Sequence, residues 1–228
     1  MSNNIPFFLA LQSGYNYVTV ALFLGDQCLD TITEHNKQSS KNLIPTIDMV
    51  LKRNSKTLLD CAFFAAYQGP APFTTLRVVI ATINGLAFAS GTPLVGVDGL
   101  ITFLHQELDN NYDLTAVLLN AFGQEVYYAI YHTSTQNITT GCESIEQFLL
   151  QLEHYSTQRI KLVGNGVTLY KKEILQTLGN TVFIPEAVPE LCSIESVGKQ
   201  AYYQWLHQEN TTQQLLPLYL KSSMSIPR

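Results

Sequence analysis

Charge is scarce in this sequence: Asp, Glu, Lys and Arg make up 14% of its 228 residues, against about 25% in an average globular chain. The balance of -5 excludes a broad electrostatic footprint for nucleic acid. The basic pairs Lys52–Arg53 and Lys171–Lys172 read as solvated helix ends. Cysteine is thin too. The four cysteines, Cys28, Cys61, Cys142 and Cys192, form no CxxC and no Cys/His spacing, so neither a zinc site nor a dithiol redox motif is expected. With no leader-like segment ahead of them, they read as reduced thiols in a cytoplasmic protein. The five histidines, His35, His105, His132, His154 and His207, are scattered and none pairs at helical spacing. That removes the two-histidine face of a metallopeptidase. GxSxG is absent and no cysteine has a histidine near it, so nucleophilic catalysis has no signature. Apolar runs fall short of the roughly 18–20 residues that cross a bilayer, and no membrane, metal or cofactor is expected.

What the chain does have is apolar and aromatic weight, with 46% hydrophobic residues, eleven Phe and twelve Tyr. Such a composition with so little charge fits a protein that covers part of its surface with a partner. The length allows one large domain or two small lobes with proper cores. Two halves are visible. Strands are expected at 7–11, at 17–24 before the hairpin signal Gly25–Asp26, and at 28–34. Leu43, Ile44, Ile47, Val50 and Leu51 then recur at helical spacing. Pro45 lies either in the first turn of that helix or inside a longer one begun near Ser39. A strand follows at 60–67, and a helix at 74–90 with Thr74 as its cap and Gly91 as its stop. A strand at 93–97 and a helix at 100–108 close the half. At Thr115 the order restarts, with strands at 115–121, 125–131 and 136–140, a helix at 144–154 and a strand at 159–163. Gly164–Asn165–Gly166 forms a loop, a helix covers 169–178, a strand 182–184, and a long helix 194–209. Both halves spell β-β-β-α-β-α. That duplicated ribonuclease H-like unit is the layout of actin-like (ASKHA) two-lobed α/β proteins, here with lobes expected at 1–104 and 105–228. Proteins of that layout usually bind nucleotide between the lobes.

In such folds the first strand of each half normally ends in a carboxylate, because Mg²⁺ favours anionic oxygen ligands. The corresponding positions here are Gln12, after FFLAL, and Asn120, after TAVLL. Both are neutral amides of similar shape, with little charge to offer a divalent metal. The segment QGPAPFTTLR, 68–77, stands where a phosphate loop would, yet it retains only Gly69, followed by Pro70 and Pro72. Prolines have no N–H to aim at an anion. Gly164 opens a turn that serves phosphate or, more simply, only reverses the chain. Gln12, Gly69, Asn120 and Gly164 therefore read as a degenerate nucleotide site. The positive feature is the helix at 74–90, where Ala81, Gly85 and Ala89 recur every four residues. Leu76, Val79, Ile80, Ile83 and Leu86 supply apolar surface beside them. A stripe of small side chains lets another helix approach closely. Internal packing and an interface both satisfy the pattern, and the nearly all-round apolarity favours a buried helix with a partner on one side.

The series HNKQSSKNLIP (35–45), GPAPFTTLRVVIATINGLAFASGTPLVGVDGL (69–100), LNAFGQEVYYAIY (119–131), VGNG (163–166) and PLYLK (217–221) resembles the TsaB family, also called YeaZ. The likeness runs through the whole chain in order. In that family the loop typically reads like GPGSFTGLR, the first strand ends in DTS, and Asp-Ala-Arg precedes GEVY. This chain has Ala71 and Thr75 for two of the glycines, Gln12 for the first Asp, and Asn120 and Phe122 for the Asp and Arg. It is a divergent member. The resemblance implies a non-catalytic role in making N6-threonylcarbamoyladenosine at position 37 of tRNAs that read ANN codons. It implies a heterodimer with a TsaD-like catalytic subunit, binding of a TsaE-like ATPase, tRNA contact only through the complex, and homodimers in some members. On this chain the family's partner helices match 43–51 and 74–90. The expected interface residues are Leu43, Ile44, Ile47, Val50 and Leu51 on the first, and Thr74, Arg77, Val78, Ala81, Thr82, Gly85 and Ala89 on the second. The rival readings are an ATP-dependent phosphotransferase or ATPase of the same fold, and the glycoprotease-like peptidase of an older family description. The latter finds no histidine pair to support it.

Overall fold

The structure is a computed structural model, and it describes residues 5–35, 39–218 and 220. Positions 36–38, 219 and 221, within the family-like segments 35–45 and 217–221, lie outside the described residues. The chain divides into two compact units.

The first unit comprises residues up to Thr102 together with Ser193–Leu218. The apolar run of β1 (Phe7–Ser13) and the β-branched β2 (Tyr17–Leu24) are buried almost end to end, as central strands are. The third strand, β3 (Gln27–His35), alternates exposed and half-buried residues and forms the sheet edge. Helix α1 (Ser39–Arg53) begins early enough that Pro45 lies in its interior. A 3₁₀ turn at Leu58–Asp60 leads into β4 (Cys61–Tyr67), followed by α2 (Phe73–Ser90), β5 (Leu94–Val97) and α3 (Gly99–Glu107). The division between units falls inside α3, after Thr102. The sheet order is completed by a short β11 (Thr211–Thr212), which pairs antiparallel with β5, giving β11-β5-β4-β1-β2-β3. Strand β4 runs parallel to β1, and β5 parallel to β4.

The expected boundary at 104/105 differs from this in two respects, the first being that the division comes two residues earlier. Helix α7 (Ile194–Leu206) rejoins the first unit, packing on β1, β3, β4 and β5. Aromatic stacking holds it there: Phe23, Phe8, Phe63 and Trp205 form a column with centroids 5.0, 4.3 and 4.6 Å apart. Gly198 lets the helix lie on Phe23, since a Cβ at that position would come within 2.2 Å of the ring.

The second unit, Phe103–Cys192, repeats the pattern. Its strands β6 (Leu114–Phe122), β7 (Glu125–His132) and β8 (Asn137–Ser144) form a meander, and α4 (Ile145–Glu153) follows. Ser144 caps α4 by accepting from the Gln147 N–H at 3.2 Å. Strand β9 (Ile160–Val163) runs parallel to β6, then come α5 (Asn165–Leu169), α6 (Lys171–Leu178) and β10 (Val182–Phe183), giving the order β10-β9-β6-β7-β8. The helix expected at 169–178 is α6, whereas α5 starts within the expected Gly164–Asn165–Gly166 loop; Tyr170, with φ -109° and ψ 25°, separates the two. Leu118, Val126, Phe148, Leu162 and Ile174 centre this unit's core. Both sheets place the fourth strand of the unit beside the first, with the meander on the other side.

Among the described residues α2 is the one helix long and apolar enough to cross a membrane by length and composition. In this fold it packs instead on β1, β4 and α1, with Leu76, Val79, Ile80, Ile83 and Ala87 buried. Its start departs from expectation. Pro72 occupies the cap position and no side chain caps the helix, so Thr74 lies one residue inside the first turn and cannot be its cap. Gly91 does stop it, at φ 71°, with its N–H on the Ala87 carbonyl at 2.8 Å.

Candidate functional site

The four positions expected of a nucleotide site are occupied with internal work. Gln12 is 2% exposed at the end of β1, in register with Thr19, and Ser13 beside it is fully buried. In the loop after β4, Gly69 takes φ +115° and its carbonyl accepts from the Gly99 N–H at 2.9 Å. The Tyr67 hydroxyl donates to the Pro70 carbonyl at 2.7 Å, and the Gln68 N–H to Val97 at 2.9 Å. This loop is tied to β5 and to the start of α3, which is a structural reason for its shape.

In the second unit, Asn120 is the centre of a small network. Its N–H donates to Asn165 Oδ1 at 2.9 Å, and its own Oδ1 accepts from the Phe122 N–H at 2.8 Å. The second bond supports the irregular hairpin where Phe122, Gly123 and Gln124 all have φ near +60°. Gly164 and Gly166 are needed for close approach. A Cβ on Gly164, at φ +104°, would sit 2.2 Å from the Leu118 carbonyl oxygen, and one on Gly166 would sit 3.0 Å from it. The Gly-Asn-Gly turn thus lies directly on β6 and hands Asn165 to Asn120.

The expected partner face is partly redrawn. Leu43, Ile47, Val50 and Leu51 are between 0 and 4% exposed. They hold α1 on β2 and β3, so they are core residues, and of the α1 set only Ile44 reaches the surface, at 52% exposure. On α2 the outcome is the reverse. Thr74, Arg77, Ala81, Gly85 and Ala89 are exposed, while Val78 and Thr82 are half-buried. Gly85 faces open space: a Cβ there meets nothing within 4 Å. The small-residue stripe is therefore turned outward, not packed against the chain's own sheet.

Residues that the periodicity did not single out complete this face. Phe88 is 93% exposed and Leu59, in the 3₁₀ turn, 81%. Phe73 is half exposed and carries the Arg77 guanidinium over its ring at 3.5 Å. Phe88 lies three residues beyond Gly85 and one before Ala89, so a helical projection of the stripe was the signal that could have found it. Between α1, the 3₁₀ turn and α2 runs a groove of about 730 Å³, lined mainly by Ile44, Pro45, Leu51, Leu58, Leu59 and Leu86. A Lys52–Asp48 ion pair at 2.7 Å stands at its edge. The turn bearing Leu59 is fixed by Asp60, whose carboxylate accepts from the Thr57 N–H at 2.7 Å and the Thr57 hydroxyl at 2.8 Å. These bonds, the backbone one foremost, hold the Asp60 carboxyl below its ordinary value.

Two units with the same β-β-β-α-β-α order and the same strand arrangement define an actin-like α/β protein. Within that class the family follows from the sequence. Residues 32–202 match the model of the family described as TsaD: tRNA N6-adenosine threonylcarbamoyltransferase, and the chain belongs to that family. Among its relatives is the Escherichia coli K12 protein named tRNA threonylcarbamoyladenosine biosynthesis protein TsaB, 26% identical over 202 residues that make up 83% of each chain. A Pseudomonas aeruginosa structure described as an uncharacterized protein with similarity to peptidase YEAZ superposes with a TM-score of 0.74. It is 21% identical, and the match covers 95% of this chain and all of that one. YeaZ from Pseudomonas aeruginosa gives 0.68 at 20% identity, covering 94% and 100%. At these identities the two structures bear on the fold alone.

Proposed function

We propose that this chain is a non-catalytic partner subunit in the synthesis of N6-threonylcarbamoyladenosine at position 37 of tRNA. It pairs through α2 and the adjoining groove with a TsaD-like catalytic subunit, and the pair receives a TsaE-like ATPase. Transfer RNA meets the chain only through that complex, in the cytoplasm. A homodimer of the free chain is the competing use of the same face.

The observation that carries this reading is the outward face of α2, where Ala81, Gly85 and Ala89 leave an open track beside Phe88. Small residues flanked by exposed aromatics suit a close helix-to-helix contact, with the aromatic as anchor. The relatives' name supplies the pathway. The neutral Gln12 and Asn120 support the non-catalytic part, because neither places a carboxylate where the fold's nucleotide chemistry needs one. Coexpression with the same organism's TsaD-like subunit tests the proposal: a stable complex is expected on size exclusion with light scattering. Two folded proteins that elute separately at tens of micromolar overturn it.

A further inference from the structure

The C-terminal segment of the first unit does something that neither the fold nor the partner face requires. After β11, Thr212 and Gln214 form a local turn through the Thr212 hydroxyl, which bonds to both the N–H and the carbonyl of Gln214. The chain then crosses α2. Leu215, 3% exposed, is held by one side chain: Asn84 Oδ1 accepts its N–H at 2.9 Å and Asn84 Nδ2 donates to its carbonyl at 3.0 Å. A primary amide is here reading a backbone residue the way a neighbouring strand would. Beyond it, Gln68 Nε2 donates to the Leu216 carbonyl at 2.7 Å, and the Leu218 N–H donates to the Gln68 carbonyl at 2.9 Å. The segment thus bridges β5, the middle of α2 and the loop that starts α2.

We infer that residues 211–218 are a built-in strap that sets the position of the 68–72 loop and of α2, with Asn84 as its clasp. The Gln68 and Gly69 carbonyls accept from the backbone N–H groups of Leu218 and Gly99, and the Pro70 carbonyl from the Tyr67 hydroxyl. Asn84 supports this by its location. Asparagine is a poor residue for a helix interior, and this one bonds along the strap on both sides of the peptide. The Leu218 carbonyl lies beside Gly69, 3.6 Å from where a Cβ would stand, so the strap and the loop are in van der Waals reach there. The strap holds the root of the helix whose outer face carries Gly85 and Phe88. Its effect on partner binding rests on the function proposed above; its effect on the loop does not.

Amide hydrogen exchange on the full chain separates the two. In Asn84→Ala only the Leu215 N–H loses its acceptor directly. The strap predicts that Leu218 and the amides of residues 68–76 also exchange on the order of ten-fold faster, while β1 and β2 stay protected. Alanine is the better helix former, so faster exchange at the start of α2 cannot come from propensity. Asn84→Asp, which keeps the acceptor and loses the donor, is expected to fall between wild type and Asn84→Ala. Acceleration confined to Leu215, or spread evenly through β1 and β4, overturns the strap. Calorimetry against the TsaD-like subunit then reads the second step, with a loss of about ten-fold in affinity expected for Asn84→Ala. Unchanged affinity with an accelerated loop overturns the link to the partner face. A wild-type chain that binds no such subunit refutes the proposed function and leaves the exchange result to decide the strap.

Discussion

Replacing Gly85 with tryptophan separates the free chain from the complex. In the free chain the position is open, and a Cβ there meets nothing within 4 Å. Glycine in a helix interior costs about 1 kcal/mol relative to alanine, and tryptophan at most about 0.7. The net expectation is therefore neutral to about 0.5 kcal/mol more stable, a rise of no more than a few degrees in Tm for a chain of this size. In the proposed complex the same side chain would stand on the track between Ala81 and Ala89. A helix packed there at an axial distance of 8–10 Å leaves no room for an indole. Overpacking costs about 1–3 kcal/mol even where neighbours adjust, equivalent to roughly 5- to 150-fold in affinity for the partner. Gly85→Ala is the control, more stable by about 1 kcal/mol and within a few-fold of wild type in affinity. Thermal unfolding monitored by circular dichroism and calorimetry with the TsaD-like subunit supply both readings. Unchanged affinity for Gly85→Trp refutes the assignment of the face. A Tm lower by more than about 5 °C, roughly what a loss of 2 kcal/mol produces, refutes the open geometry.

Two isoleucines one turn apart on α1 are expected to respond oppositely to truncation: Ile47→Ala lowers stability by about 2–5 kcal/mol, whereas Ile44→Ala, at 52% exposure, stays within about 0.5 kcal/mol and weakens the complex. Urea unfolding of both variants checks this. Gly164→Ala is expected to destabilise the second unit by more than about 1 kcal/mol, because the methyl group meets the Leu118 carbonyl and φ is +104°; a chemical denaturation curve superposable on wild type contradicts it. The Asp60 carboxyl, held below the ordinary 3.8 by Thr57, supports its turn above that pH, and the support is lost as pH falls through the lowered value. An NMR titration of Thr57→Ala should return it part of the way, since the backbone bond remains. Burial pushes the Cys61 thiol up to about 12, leaving about one part in 10⁴ as thiolate at pH 8. Mass spectrometry after brief alkylation should find it unmodified, and should find the half-buried Cys28 slow to react, because burial and the nearby Glu195 and Asp30 push its thiol up as well.

The strands were legible because apolar runs such as FFLAL and TAVLL are short and bounded by glycine- and asparagine-marked turns, which favours central strands over buried helix segments. The duplicated order followed from them. The orientation of α2 was less legible. Its apolarity is nearly uniform, so periodicity alone could not say whether Ala81, Gly85 and Ala89 face the sheet or the surface. Leu43, Ile47, Val50 and Leu51 fit a partner face in the sequence for a related reason: a helix stripe is equally apolar whether its own sheet or another chain covers it. Thr74 failed as a cap because Pro72 already fixes the chain at that place. The strap left almost no trace in the sequence, since its bonds are made by backbone groups and by Asn84 and Gln68, two amides with no pattern around them. The sequence shows the charge that Asn120 lacks, whereas its bond to Asn165 depends on tertiary approach and its bond to Phe122 on the irregular hairpin, and neither leaves a sequence signal.

The proposed role in threonylcarbamoyladenosine synthesis depends on the surface of α2. Mass spectrometry of tRNA nucleosides tests it most directly, in cells depleted of the protein and complemented with wild type or with Gly85→Trp at matched levels. The modified nucleoside is expected to fall on depletion, return with wild type, and stay low with Gly85→Trp. Full restoration by Gly85→Trp, or levels indifferent to depletion, contradicts it.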